Sequence, residues 1–318
     1  MKLSIVGTGM IVKELLPVLK EHDLTLEAIL ATARSQKNGE ALGQTYGIRN
    51  VFTDYDLLLE SDCDAVYIAL PNHLHFSFAQ KALEKGKHII IEKPIVPYIA
   101  ELSSLYQLAK KNNLIILEAM NIHYLPAYAG LKNKIKDIGD IKIVQFNYSQ
   151  YSSRYDDFKK GIIHPAFDKE KYGGALMDLN IYNIHAIVGL FGSPKTSSYS
   201  ANIEKGVDTS GILSLDYPDF KVSSVGAKDC KAPIINTIQG TKGNIVIETP
   251  INSMTKFTIN LNDGASEELD FNQGKHRLFY EFKKFNEIID NSDTAAANNM
   301  LDISIQALRI LESSRITQ

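Results

Sequence analysis

The chain opens on the stretch Leu3-Ser4-Ile5-Val6-Gly7-Thr8-Gly9-Met10-Ile11-Val12, a short apolar strand that runs into a glycine-rich turn and a helix. The turn matches the dinucleotide-binding pattern GxGxxG, except that Val12 replaces the third glycine. The first two glycines allow a tight turn and let a pyrophosphate approach the N-terminus of the helix. The third serves helix–strand packing, so its loss leaves the anion site in place. We therefore expect nucleotide binding at Gly7, Thr8, Gly9, Met10 and Ile11.

The second strand, Leu26 to Ala31, should end beside the adenosine ribose of a bound dinucleotide. An NAD-binding protein places Asp or Glu there, which accepts a hydrogen bond from the 2′-hydroxyl. This chain has Thr32-Ala33-Arg34-Ser35 and no carboxylate. Arg34 and Ser35 can instead hold a 2′-phosphate through charge-assisted hydrogen bonds. The sequence predicts NADP(H) as the cofactor, with NAD(H) as the alternative.

Two later strands also end in polar segments, at the edge where open α/β sheets bind their ligands. The first segment follows Ala65 to Ala69 and reads Leu70-Pro71-Asn72-His73-Leu74-His75, and the second, Glu92-Lys93-Pro94, follows Ile89-Ile90-Ile91. We expect these cofactor contacts: Leu70, Pro71, Asn72, His75, Glu92 and Lys93. A cis bond before Pro94 is open to this sequence. The two histidines have no carboxylate or cysteine cluster near them, so we predict no metal site.

The chain has 318 residues, more than one hydrophobic core usually organises, so we expect two domains. Strand–helix alternation over residues 1–120 predicts a doubly wound parallel sheet. Residues 121–318 instead contain alternating strands joined by turn signals such as Asn262-Asp263-Gly264, and two closing helices. They predict an α/β domain with a large, mostly antiparallel open sheet. Because strands with two apolar faces need covering and two closing helices are too few for a sheet this wide, we expect the open face to bind another copy of the chain.

Composition narrows the class of protein. The net charge of −3 gives no argument for nucleic acid, and no basic run suggests a membrane surface. Cys63 and Cys230 form no CxxC pair, so neither a disulfide framework nor a zinc site is indicated. The start of the chain runs straight into a strand, and we find no apolar run of membrane-spanning length. These features predict a cytoplasmic protein.

The second half contains one unusual insertion, Gly173-Gly174-Ala175-Leu176-Met177-Asp178-Leu179-Asn180-Ile181-Tyr182-Asn183-Ile184-His185. We expect the two glycines to precede a helix that continues to Phe191. Asp178, Tyr182 and His185 then stand at i, i+4 and i+7, on one face of that helix. One interpretation is a solvated surface face. The apolar majority around these three residues favours the other, the wall of a pocket.

With these motifs, the whole chain resembles the glucose–fructose oxidoreductase, inositol dehydrogenase and rhizopine-catabolism (Gfo/Idh/MocA) oxidoreductases. The resemblance implies a Rossmann domain, an oligomerising α/β domain, NAD(P), and sugars, polyols or related alcohols as substrates. It implies that Lys93 is the catalytic lysine, that Asp178 is the aspartate of the Gly-Gly motif, and that Tyr182 stands where many members have a catalytic histidine. It also implies a homodimer or homotetramer. Asn180 replaces a family glycine, which we expect to narrow the space beside Tyr182.

Two functions remain open at this point. The first is hydride transfer between a nicotinamide and a CH–OH or C=O group, with the proton carried by Tyr182, by Lys93 or by His185, and with Asp178 as the orienting group. The second is a catalytically silent NAD(P) sensor or binding protein of the same fold. Near the catalytic helix, the run Tyr148 to Arg154, with Tyr155, is either a substrate-recognition segment over the nicotinamide or an ordinary exposed loop.

Overall fold

The computed structural model describes residues 1–315, and contacts within the chain divide it into two compact units. The first unit comprises Met1–Ala119 and Leu278–Ser304, and the second comprises Met120–Arg277 and residues 305–315. The segment Leu278–Ser304 was expected in the second domain, but its contacts group it with the first unit. The division into functional domains at residues 120 and 121 stays a prediction.

The first unit contains a parallel six-stranded sheet. Its strands are β1 (Lys2–Val6), β2 (Thr25–Leu30), β3 (Asn50–Phe52), β4 (Ala65–Ile68), β5 (His88–Glu92) and β6 (Ile116–Ala119). They lie in the order β3-β2-β1-β4-β5-β6. This is the order of a doubly wound Rossmann sheet, in which β1 and β4 flank the crevice at the point where the strand order reverses. The predicted α/β fold is confirmed, although β3 was not predicted.

The second unit contains an eight-stranded sheet. Its strands are β7 (Ile141–Ser149), β8 (Thr196–Glu204), β9 (Val207–Asp216), β10 (Lys221–Ala227), β11 (Asn236–Gly240), β12 (Gly243–Ile247), β13 (Lys256–Leu261) and β14 (Ser266–Asp270). The order is β14-β13-β12-β11-β7-β10-β9-β8. The pairing of β7 with β10 is parallel and the other pairings are antiparallel. The predicted, mostly antiparallel sheet is confirmed, with β14 as an edge strand that was not predicted.

Ten α-helices lie within the part of the chain that the structure describes. They are α1 (Met10–Leu19), α2 (Gln36–Tyr46), α3 (Tyr55–Leu59), α4 (His75–Glu84), α5 (Ile99–Asn112), α6 (Pro126–Lys134), α7 (Tyr155–Lys159), α8 (Ile181–Phe191), α9 (Phe279–Asp290) and α10 (Thr294–Ser314). In the first unit, α9 packs on the sheet: the ring of Phe282 lies 5.3 Å from that of Tyr67 in β4, edge to face.

The two faces of the eight-stranded sheet differ in chemistry. One face is apolar and buried, with residues such as Val144, Leu213 and Ile245. Across the other face, one row in register contains Ser198, Ser214, Ser223, Gln145, Thr237, Val246, Thr258 and Glu268. The premise of two apolar faces is therefore wrong, because this face has mostly hydroxyl and amide groups. It also exposes Ile143 and Ile212, which are 44% and 49% accessible.

One segment of the second unit is longer and more apolar than expected. Lys169–Phe191 could cross a membrane by length and composition alone, with a mean hydropathy of 1.2. Within its apolar window, however, 67% is buried inside the protein. This is the pattern of a core helix, which must be apolar on most of its sides.

Candidate active site

The glycine-rich turn after β1 has the geometry of a phosphate cradle. Gly7 has φ +116°, and a Cβ atom there would lie 2.5 Å from the carbonyl oxygen of Ala69, so only glycine fits. A Cβ atom at Gly9 would meet no atom within 4 Å, which leaves open space over the turn. α1 begins at Met10 with no side-chain cap and no acid in its first turn. An anion in this space would meet the positive end of the helix, so a dinucleotide pyrophosphate fits here.

The segment after β2 suits a phosphorylated ribose. Thr32 and Ser35 form a capping box, with the Ser35 hydroxyl 2.9 Å from that of Thr32. Ser35 therefore holds the turn in shape, in addition to any contact with a ligand. The Arg34 side chain is exposed, and residues 31–39 contain no carboxylate. A 2′-phosphate would meet a cation here and no competing negative charge.

His75 lies deeper than predicted. It is fully buried, with Nε2 2.8 Å from the carbonyl oxygen of Leu70 and Nδ1 2.9 Å from that of Pro94. Burial lowers the pKa of this imidazole, against the opposing effect of the two carbonyls. His75 thus joins the segment after β4 to the segment after β5 and has no surface for a cofactor. Pro71 and Asn72, by contrast, are only half-buried at the sheet edge.

Lys93 stands at the end of β5 on a fixed backbone. Glu92 accepts a hydrogen bond from the hydroxyl of Tyr67, and the N–H of Ile95 donates to Glu118 at 2.9 Å. The Lys93–Pro94 peptide bond is cis, as the sequence allowed. The Lys93 side chain is half-buried. Across residues 1–315, no group of three or more His, Cys, Asp or Glu residues is arranged to hold a metal ion.

In the second unit, the two glycines allow the chain to lie directly on a buried carboxylate. A side chain at Gly174, which has φ +118°, would overlap Oδ1 of Asp208, and a Cβ atom at Gly173 would lie 2.6 Å from the carbonyl oxygen of Pro165. Oδ2 of Asp208 accepts from the N–H of Leu176 at 2.7 Å. Burial raises the pKa of Asp208. Sequence reasoning missed this residue, although an acid inside an apolar strand is itself a signal.

The expectation of one regular helix from the glycines to Phe191 is wrong over its first turn. Leu176–Asn180 is a π-helical turn, and α8 begins only at Ile181. Asp178 and Tyr182 are half-buried, whereas His185 is only 1% exposed. The three residues therefore do not form one exposed face. Single π-helical turns inside helices occur often at functional sites.

Each of the three predicted residues has a different neighbour within the second unit. Oδ2 of Asp178 lies 2.9 Å from the ammonium group of Lys228. The ring of Tyr182 lies 5.8 Å from that of Tyr148, which is on β7.

Nδ1 of the third residue, His185, lies 3.2 Å from Nε2 of His123. Burial, with smaller effects of His185 and Lys132, holds the pKa of His123 well below its ordinary value. His185 thus belongs to a buried histidine pair.

Asn180 faces the sheet. Its amide nitrogen donates to the carbonyl oxygen of Ser224 at 3.2 Å, and its amide oxygen accepts from the Ser224 hydroxyl at 2.5 Å. Gly226 makes room for it, since a Cβ atom there would lie 2.8 Å from Cβ of Asn180. The substituted family glycine is thus accommodated by hydrogen bonds to β10.

Tyr155 packs inside the second unit. It is 9% exposed and packs in a cluster with Phe158, Phe167 and Val207. Its hydroxyl donates to Glu204; this bond and burial raise the pKa of Tyr155 to about 12. The substrate-recognition role of the preceding run, 148–154, stays a prediction.

Comparison with known proteins assigns the chain to a family. Residues 1–120 match the family model described as the GFO/IDH/MocA oxidoreductase family with an NAD-binding Rossmann fold, and residues 133–246 match the GFO/IDH/MocA C-terminal domain. The chain belongs to this family. It is therefore an NAD(P)-dependent oxidoreductase, as the sequence predicted, and no observation favours the alternative of a silent sensor.

One relative and one solved structure each cover 99% of the chain. It is 32% identical to the NADP(+)-dependent scyllo-inositol 2-dehydrogenase IolU of Bacillus subtilis, over 99% of this chain and 96% of the relative. It is 27% identical to a trans-1,2-dihydrobenzene-1,2-diol dehydrogenase of Xenopus tropicalis, over 74% of this chain and 71% of the relative. The fold matches KijD10, a 3-ketoreductase of Actinomadura kijaniata crystallised with NADP and TDP-benzene, at a TM-score of 0.88 and 19% identity, over 99% and 97% of the two chains.

Proposed function

We propose that this enzyme is an NADP(H)-dependent dehydrogenase of a cyclic polyol or a sugar. The observation that carries the proposal is the similarity to scyllo-inositol 2-dehydrogenase, which extends over 317 residues. The dihydrodiol dehydrogenase among the relatives also acts on a ring with adjacent hydroxyl groups. The exposed Arg34 and the absence of a carboxylate over residues 31–39 support NADP(H) over NAD(H).

Bound NADP(H) would accept or supply the hydride. Tyr182 would exchange the accompanying proton with the substrate oxygen. A free phenol, with a pKa of about 10, is a poor base at neutral pH. The cation of Lys93 would make the phenol more acidic and polarise the substrate oxygen. Asp178 would orient Lys93 or a substrate hydroxyl, and transfer by Lys93 itself is the alternative.

His185 receives no proton-transfer role in this proposal. It is 1% exposed, and its ring is engaged with the buried His123. A proton carrier must reach the substrate oxygen directly or through one water. Tyr182, which is half-buried, meets that requirement better.

The proposal is tested by a panel of inositols, sugars and dihydrodiols with both cofactors, followed by variants. Tyr182→Phe and Lys93→Met should each lower turnover by about 10²–10⁴-fold, while NADPH still binds. The double variant should lose little more, because residues that act as a unit are not additive. Tyr46→Phe, a change of the same chemistry on α2, is the control. Normal turnover in both single variants would place the reaction elsewhere.

We also propose that the open face of the eight-stranded sheet binds a second copy of the chain. The face combines a row of hydroxyl and amide groups with the exposed Ile143 and Ile212. Hydroxyl and amide groups can be desolvated at lower cost than charges if a partner supplies hydrogen bonds. Light scattering tests this proposal: a monomer at micromolar concentration would contradict it.

We place the enzyme in the cytoplasm. The support is a net charge of −3 with no basic run, and two cysteines with no pairing pattern. Fractionation of cells that produce the tagged full chain checks this assignment. Recovery in a membrane or secreted fraction would contradict it.

A further inference from the structure

A second lysine lies beneath the turn that carries Asp178. Lys228 follows β10 directly, and its side chain is 2% exposed. Its ammonium group lies 2.9 Å from Oδ2 of Asp178 and donates to the carbonyl oxygen of Ala166. It also lies 4.2 Å from the centre of the Phe167 ring. A carboxylate, a carbonyl and an aromatic face thus replace the water around this cation.

The backbone of Lys228 is fixed by its neighbours in the sheet. Its N–H donates to the carbonyl oxygen of Thr209, and its own carbonyl accepts from the N–H of Ser152, both at 2.8 Å. The backbone that carries this side chain is therefore held by β9 and by the segment after β7, and not by the π-helical turn.

The ion pair is strongly asymmetric in its exposure. The Lys228 side chain is 2% exposed, whereas that of Asp178 is 35% exposed. A buried ammonium group is costly unless it is paired, so its attraction for the carboxylate is strong and poorly screened. The exposed partner is the carboxylate, and this is the group that solvent or a ligand can reach.

We propose that Lys228 is a positioning residue for the reaction, which holds the Asp178 carboxylate charged and oriented from below. This role rests on the dehydrogenase function proposed above. With Oδ2 held by a cation fixed in the sheet, the rotation of the carboxylate is restricted. The proton-transfer group Tyr182 and the substrate then meet a carboxylate of defined direction. Reactions that depend on such orientation lose on the order of 10²-fold in rate from small displacements.

The test uses Lys228→Met and Lys228→Gln in the full-length enzyme with an active polyol. Both variants should lower kcat/KM by about 10–100-fold and leave the Kd of NADPH unchanged. The acid limb of the pH profile should move to higher pH, because a carboxylate that has lost its cation takes up a proton more readily. Lys228→Gln keeps a neutral donor for Ala166, so it guards against a simple folding defect.

A matched control exists in the same region. The ammonium group of Lys205 also donates to two backbone carbonyls, those of Phe158 and Lys159, and lies 4.9 Å from the Phe158 ring. Lys205 is exposed, so Lys205→Met removes a cation with the same kinds of partner from the surface, without touching Asp178. We expect its acid limb and kcat/KM to stay at the wild-type values. An equal effect of Lys205→Met and Lys228→Met would overturn the proposal.

A double-mutant cycle tests whether Lys228 acts through Asp178. Asp178→Asn alone and Asp178→Asn with Lys228→Met should have the same kcat/KM within about 2-fold, since one residue positions the other. Fully additive losses, or an unmoved acid limb in both Lys228 variants, would overturn the proposal.

Thermal unfolding separates this proposal from the proposed function. Asp178→Asn should lower Tm, because it leaves the buried ammonium group of Lys228 without its carboxylate, and adding Lys228→Met should raise Tm again, because the unpaired cation is removed. A wild-type enzyme that turns over no polyol or sugar refutes the proposed function, and the positioning role with it. Active wild-type enzyme with no recovery of Tm in the double variant refutes the ion-pair argument alone.

Discussion

Gly174→Ala should damage the turn that carries Asp178. The added Cβ would overlap Oδ1 of Asp208, and Gly174 has φ +118°. The carboxylate must then move away from the N–H of Leu176, to which it is bonded at 2.7 Å, and from the Tyr199 hydroxyl at 2.8 Å. The start of the π-helical turn would lose its anchor in β9.

The expected cost has two parts. Positive φ alone costs a non-glycine residue about 1–3 kcal/mol. Displacing Asp208 adds about 1.5–3 kcal/mol for the bond from Leu176 to a charged acceptor and about 1 kcal/mol for the bond from Tyr199. The second part should therefore exceed the first, and the sum is a large fraction of the ~5–15 kcal/mol that stabilises a typical domain.

The assay is urea unfolding followed by circular dichroism, with turnover measured in parallel. Gly264→Ala is the control, because Gly264 has φ +94° but no atom within 4 Å of an added Cβ. Gly264→Ala should lose only the free energy that a positive φ costs, and it should keep full turnover. Gly174→Ala should be less stable than the control by about 2–4 kcal/mol and should turn over slowly. If the two variants unfold at the same urea concentration, the contact with Asp208 does not anchor the turn.

Three further outcomes are expected. Arg34→Ala should weaken NADP(H) by about 10–100-fold and leave NAD(H) unchanged in fluorescence titrations, and equal Kd values for both cofactors in the wild type would contradict the NADP(H) assignment. Because burial puts the pKa of His123 well below 6.5, the unfolded chain takes up this proton first as the pH falls, so stability should drop below pH 6.5. His123→Gln should flatten that drop in Tm, and an unchanged slope would exclude His123 as its source. Ile212→Glu should give a smaller species than the wild type in light scattering, and an identical mass would mean that this face lies outside any interface.

Regular elements with a strong apolar pattern could be read from the sequence. The helix expected after the glycine-rich turn is α1, and the two expected closing helices are α9 and α10. β3 and β14 were missed for physical reasons. β3 has three residues, none of them buried, and β14 reads Ser-Glu-Glu-Leu-Asp. A charged edge strand protects a sheet from pairing with other chains, and it leaves no alternation for sequence reasoning to find.

Residues of the candidate site were also predicted where a short motif marks them and missed where none does. Gly7, Lys93 and Asp178 stand in short motifs whose spacing reveals them. Asp208 and Lys228 reach the π-helical turn only through strand pairing, which joins positions far apart in the chain. Lys228 and Asp229 follow β10 directly, as Lys93 follows β5. A charged residue directly after a strand was therefore the signal that the sequence offered. A π-helical turn inserts one residue into a helix. Because the residue types remain those of an ordinary helix, the sequence pattern did not predict the π-helical turn.

The grouping of Leu278–Ser304 with the first unit bears on how the protein is made. Phe282 and Phe285 of α9 are 1% and 0% exposed, and Phe282 contacts Tyr67 at the heart of the cofactor-binding sheet. A nascent chain that has emerged only to residue 120 lacks this cover. The ribosome must then synthesise the eight-stranded sheet before the first unit can close. A chaperone that binds exposed aromatic side chains would therefore cover the first part of the chain for the longest time.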